Sequence, residues 1–150
     1  MGVTNRDIRQ MVREAAAENN IDPALALAIA KNESGFNPNT VGPTGDYGVM
    51  QLTAPALADI NQALGTNYSL SDNNVRFDPE LNIRLGMTYL RLTRDRYGAS
   101  TPEEMARMYN GGPGGARKSA TEEYWRRVSG YIPEFGSPFS QGITSARDMM

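Results

Sequence analysis

The 150-residue chain contains no histidine and no cysteine, and these two absences remove most familiar active sites at once. Without histidine there is no Ser-His-Asp or Cys-His machinery, and the commonest transition-metal ligand is missing. Without cysteine there is no disulfide, no thiolate nucleophile and no thiolate zinc site. General acid–base work therefore falls to carboxylates, tyrosine or lysine, and neither a metal nor a cofactor is expected. An excess of positive charge is missing too: 15 Lys and Arg against 17 Asp and Glu leave a net charge of -2, which gives no footprint for nucleic acid or an anionic membrane surface. Long apolar runs are also lacking. The opening MGVTNRDIRQMVREAAAENN has no apolar run of the roughly 7–15 residues a secretory signal uses, and no stretch reaches the roughly 20 residues of a membrane span. Arg6 stands where a myristoylation pattern requires Ser or Thr. The chain as written is expected to be made and kept in a cytoplasm unless something else carries it out.

What is present is the pattern of a soluble globular protein, 39% hydrophobic and 21% charged, of a length that suits one domain around one core. Thr4 and Asp7 form a capping-box pattern ahead of Ile8, Met11, Val12, Ala15 and Ala16 at helical spacing, predicting a first helix over 4–19. Asp22-Pro23 caps and starts a second helix, ALALAIAKNE, that is apolar all round for two turns and stops at Ser34-Gly35. FNPNTVGPTGDYGVMQ is dense in Gly, Pro and Asn and reads as an ordered irregular loop. Thr53 caps a third helix ending at Leu64-Gly65, and TNYSLSDNNVRF reads as polar and turn-like. Asp78-Pro79-Glu80 begins the longest helix, ending at Tyr97-Gly98; Thr101-Pro102 begins another, broken by NGGPGG. A last helix is predicted from about Thr121 to Tyr131, stopping before Pro133. With no sustained alternation and no internal repeat, the expectation is an all-α single domain over 1–132 with about six helices and at most a short hairpin. Residues 133–150 read as an irregular tail or linker.

Glu33 is the leading candidate for chemistry. It ends an apolar helix, where desolvation and the negative helix terminus both disfavour its ionised form, and an acid kept protonated near neutral pH is what glycosidic cleavage needs. SDNNVRFDPE places Asp72, Asn74 and Asp78 suggestively for calcium, but it holds no glycine for the sharp turn of an EF-hand loop.

Four motifs surround Glu33 in order: Glu33-Ser34-Gly35-Phe36; Gly42 to Gln51, with the pattern GxxGxxGxMQ; Met108-Tyr109-Asn110-Gly111-Gly112; and Tyr124 to Val128. With DPELNIRLGMTYL at 78–90, they make the sequence resemble, over about residues 10–131, the lytic transglycosylases of goose-lysozyme-like fold. That resemblance implies a lysozyme-like helical domain with an irregular glycine-rich loop along the groove. It also implies that Glu33 is the catalytic acid, that Ser34, Met50 and Gln51 line the sugar groove, and that Tyr109, Asn110 and Tyr124 position the substrate or the acid. Met50, Phe36 and Tyr47 offer apolar faces for pyranose rings, and the amides and hydroxyls suit N-acetyl and sugar oxygens. The sequence departs from the family at Ala120, where a carboxylate commonly precedes the last motif's tyrosine by four residues; Glu122 and Glu123 are the nearest acids.

Three readings follow. In a lytic transglycosylase, Glu33 alone suffices, because the sugar's own 6-hydroxyl is the nucleophile. In a goose-type hydrolase a second carboxylate activates water, and Asp46 is the nearby applicant, although a turn role before Tyr47-Gly48 also explains it. In the third, a binding module keeps the groove without chemistry. The expected partner is the glycan strand of peptidoglycan, without nucleic acid or an integral membrane segment. A wall-degrading chain with no signal and no disulfide suggests a phage virion component, or a domain of a larger virion protein, with other virion proteins as further partners.

Overall fold

The computed structural model describes residues 2–136, and among them it forms seven α-helices, one 3-10 turn and no strand. The helices are α1 (Asn5–Glu18), α2 (Pro23–Ser34), α3 (Ala54–Leu64), α4 (Asn73–Phe77), α5 (Pro79–Asp95), α6 (Pro102–Gly111) and α7 (Ala120–Phe135), with the 3-10 turn at Gly115–Arg117 between the last two.

Local capping chemistry sets most of these boundaries. The Thr4 hydroxyl accepts from Asp7 N–H at 3.1 Å while the Asp7 carboxylate accepts from Thr4 N–H at 3.0 Å, completing the capping box of α1. Asp22, Thr53, Asp78 and Thr101 each cap a helix whose first turn carries proline. Gly35 at φ 61° and Gly65 at φ 68° close α2 and α3 in the left-handed region.

Burial then decides the layers. Ala24 to Ala30 are buried without interruption, so α2 is the central helix, flanked by α1 and α7. α5 joins two apolar clusters: Ile83, Met87 and Leu90 face the one built around α2, whereas Leu85, Tyr89 and Leu92 face a smaller one with Leu57 and Ile60 of α3 and Val75 of α4. The glycine-rich segment stays irregular, with only the isolated pairings Val41–Tyr47 and Tyr47–Leu52.

Two expectations fail. The stretch expected to be turn-like contains α4, a single turn capped by Asp72, whose carboxylate accepts from Asn74 N–H at 2.8 Å, and pinned by fully buried Val75. The described residues thus form seven helices, in keeping with the expected count of about six. The last helix also does not stop before Pro133 but passes through it to Phe135. Proline inside a helix costs about 3 kcal/mol, and here the cost is offset by burial of Phe135, whose ring meets Phe36 edge-on at 5.9 Å. Residues 133–135 thus belong to the body. Of the expected tail, 137–150 lie outside the described residues.

Candidate active site

Glu33 lies in the last turn of α2, where the helix leaves the core. The residue keeps some contact with solvent, but its carboxyl is largely enclosed by protein. Burial pushes its pKa up from 4.5 to about 7, with a smaller push from the negative charge of Asp46; the hydrogen bond from Tyr124 and the charge of Arg127 act in the opposite direction. The Tyr124 hydroxyl donates to Glu33 Oε2 at 2.7 Å, and Tyr124 is itself buried in α7. This bond fixes one carboxyl oxygen and leaves the other for a proton. Desolvation also drives the Tyr124 and Tyr109 hydroxyls well above the usual phenol range, with Glu33 adding to both, so both are donors at neutral pH.

The segment after α2 is held by side chains rather than by a sheet. Ser34 Oγ donates to the Val49 carbonyl at 2.8 Å, and the Gln51 amide donates to the carbonyls of Thr40 and Gly48 at 3.2 and 3.0 Å. The Tyr109 hydroxyl donates to the Met50 carbonyl at 2.7 Å. From α5, fully buried Asn82 accepts from Met50 N–H at 2.9 Å and donates to the carbonyls of Tyr47, Val75 and Arg76. Glycine is required where these parts meet. A Cβ on Gly86 would sit 2.5 Å from Met50 Cβ, and one on Gly48, at φ 84°, would collide with Arg76 carbonyl and the Asn82 amide.

Next to Glu33 runs a cleft of about 450 Å³ whose walls include Asp46, Thr53, Tyr89, Tyr109 and Asn110. Glu33 does not line it directly, but Tyr109 and Asp46 do, and the charge of Glu33 is felt at Tyr109 while that of Asp46 is felt at Glu33. Asp46 is half-buried and accepts from the Thr44 hydroxyl at 3.1 Å.

The structure therefore puts Tyr109 and Asn110 on the wall of the cleft and pairs Glu33 with Tyr124 beside it, and it gives other expected site residues different work. Met50 has no exposed surface: its side chain packs on Gly86 and offers no face to a sugar. Ser34 and the Gln51 amide are committed to the backbone of the glycine loop. The Tyr47 ring lies under the Arg76 guanidinium, 4.2 Å from its centroid, and edge-on to Phe77. Phe36 is buried. Ala120 opens α7 at the surface, Glu122 is exposed, and Glu123 is drawn into ion pairs with Arg126 and Arg127. Asn82 escaped the sequence reading as a site residue; its signal is a polar side chain on the same stripe of α5 as Gly86 and Tyr89, four and seven positions on.

Comparison with known proteins points the same way. The family model for the transglycosylase SLT domain matches residues 10–132. The membrane-bound lytic murein transglycosylase C of Serratia proteamaculans is 32% identical over 125 residues, 79% of this chain and 35% of that protein. Its counterpart in Histophilus somni (strain 2336) is 35% identical over 111 residues, 69% of this chain and 30% of that protein. Among solved structures, the 70 kDa soluble lytic transglycosylase of Escherichia coli superposes with a TM-score of 0.73 at 23% identity, over 89% of this chain and 24% of that one. An inactive glutamate-to-glutamine variant of the lytic transglycosylase Slt from Pseudomonas aeruginosa gives 0.72 at 22% identity, over 85% and 24%. The chain thus spans about a third of the length of the curated relatives it matches. On the match of its residues 10–132, this chain belongs to the transglycosylase SLT domain family.

Proposed function

We propose that the chain is a peptidoglycan lytic transglycosylase, cleaving the β-1,4 bond between N-acetylmuramic acid and N-acetylglucosamine. The observation that carries this reading is Glu33: a carboxyl with its pKa at about 7, held at one oxygen by Tyr124 beside an open cleft. Protonated Glu33 gives its proton to the glycosidic oxygen, which leaves with the bonding electrons while positive charge develops at C1 of the muramic acid. The Glu33 carboxylate, steadied by the donating Tyr124 hydroxyl, then takes the proton of the 6-hydroxyl as that oxygen closes on C1. The product is a 1,6-anhydro ring, no water is consumed, and Glu33 is protonated again. The nucleophile comes with the substrate, so its arrival needs no further loss of translational freedom. The names of the relatives, murein transglycosylases, and the inactivity of one glutamate-to-glutamine relative support the assignment.

In this arrangement the exposed Asn110 side chain and the Tyr109 wall face the sugar, whereas Ser34, Tyr47, Met50 and Gln51 act by holding the loop. One observation favours the hydrolase as a second reading: the Asp46 carboxylate is close enough to raise the Glu33 pKa. Product mass separates the readings. A transglycosylase releases muropeptides ending in 1,6-anhydro-N-acetylmuramic acid, one water lighter than hydrolytic products; reducing-end products that disappear in Asp46→Asn would establish the hydrolase, and binding without release would establish a non-catalytic module.

For location we propose a virion component that meets the wall during infection, on the lack of cysteine in a chain of a wall-acting family; among the described residues no helix is long and apolar enough to cross a membrane. Proteomics of purified phage particles tests this, and absence of the chain from every particle fraction would reject it.

A further inference from the structure

The net charge of -2 hides a local concentration of the opposite sign. Arg6, Arg9 and Arg13 recur at three- and four-residue spacing on one side of α1 and, with Asn5, line a concavity of about 470 Å³. Among the described residues none of the three forms an ion pair with a carboxylate. Of the acids on the same helix, Asp7 is engaged in the capping box, though it also feels the charge of Arg6, Glu14 accepts from the Gln10 amide, and Glu18 lines a different hollow with Glu80 and Arg84. Arg9 is held in place, its guanidinium 5.1 Å from the centroid of Phe36 and 5.9 Å from that of Phe135. Among the described residues its buried Nε has no hydrogen-bond partner, and a buried, unsatisfied donor on a charged group is costly. Phe36 lies three residues after Glu33, so this groove adjoins the segment that carries the acid.

We infer that the Arg6–Arg9–Arg13 groove binds the carboxylates of the peptide stems of peptidoglycan, so that the enzyme holds its substrate by the peptide as well as by the glycan. This rests on the wall-cleaving reading above. The chemistry fits, because guanidinium groups bind carboxylates through paired N–H donors. The dimensions fit as well: seven residues of helix place Arg6 and Arg13 roughly 10 Å apart, a span for two or three carboxylates of a short peptide. Nucleic-acid binding would instead draw on about 6–10 phosphate contacts.

The test is co-sedimentation of the full chain carrying Glu33→Gln, which binds without cutting, with intact sacculi and with glycan strands stripped of stems by an amidase. Arg6→Gln and Arg13→Gln, both at exposed positions, are then added together, leaving Arg9 in its aromatic seat; an unchanged melting temperature checks the fold. The expected result is about a tenfold loss of affinity for sacculi at low salt, shrinking as salt screens the charges, with unchanged binding to stripped strands. Equal binding to sacculi by the two proteins overturns the proposal, as does an equal loss on stripped strands. A loss that vanishes once wall phosphate polymers are removed with acid overturns it in favour of phosphate. Failure of the parent Glu33→Gln protein to sediment with either material would count against the wall-binding reading itself, not the groove.

Discussion

Two polar side chains, one in the interior and one where a helix leaves the core, meet the loss of water in opposite ways. Asn82, in the seam between α5 and the glycine loop, is fully buried, accepts one hydrogen bond and shares its two amide N–H donors among three carbonyls. Glu33, at the end of α2, is enclosed by protein and receives one hydrogen bond from a side chain, that of Tyr124. A buried polar group with its capacity filled gives rigidity; one left short keeps a proton it would otherwise lose. Asn82 fixes the glycine loop, whose Thr44 to Asp46 segment walls the cleft, and Glu33 lies beside that cleft.

The contrast can be broken from either side. The largest effect is expected for Glu33→Gln, which keeps the shape but removes the transferable proton: release of muropeptides should fall by about 10³-fold or more, and turnover within tenfold of the parent would end the assignment. The same variant should be more stable than the parent at alkaline pH. Because the folded pKa, about 7, lies above the ordinary 4.5, the native state holds an extra proton between these values, so parent stability falls as pH rises through that window. Melting temperatures should thus be alike at pH 4 and separate by pH 8, the glutamine variant being higher.

Asn82→Ala leaves Met50 N–H and three carbonyls without this partner, and should lower stability by about 3 kcal/mol or more, measured by denaturant unfolding. A loss under 1 kcal/mol would mean that the loop holds itself. A smaller effect is expected at the far end of α7. Truncation after Ile132 removes Phe135 from its contact with Phe36 and should cost about 2–3 kcal/mol, whereas truncation after Gly136 should cost little; equal stability of the two would show that α7 needs no anchor beyond Pro133.

The mildest change is Tyr124→Phe. Losing the donor to Glu33 Oε2 raises the Glu33 pKa further, so the alkaline limb of the activity profile should move to higher pH while the maximum rate falls by about tenfold. A fall in melting temperature with an unmoved limb would make Tyr124 a packing residue only.

How much of this was legible in the sequence depends on whether the cause was local. The caps Thr4, Asp22, Thr53, Asp78 and Thr101 act within three residues, and each appears where the pattern placed it. Glu33 was legible because seven consecutive buried residues lead up to it. The misses share distant causes. α7 passes Pro133 because Phe135 finds Phe36 across the chain, and α4 forms because Val75 finds the cluster of α3 and α5. Met50 looked like a sugar-facing side chain because motif position says nothing of the direction a side chain takes; Gly86, 36 positions away, supplies the notch that swallows it. Asn82 needed the fold to show which backbone groups it satisfies.

The proposed cleavage depends on the state of one carboxyl, and that can be observed directly. Carbon-13 NMR titration of side-chain-labelled glutamate, with Glu33→Gln used to assign the signal, should show the Glu33 carboxyl titrating at about 7, well above its ordinary 4.5. A midpoint at or below 4.5 would mean that Glu33 is already ionised at neutral pH, and the proton on which the proposed cleavage depends would not be there.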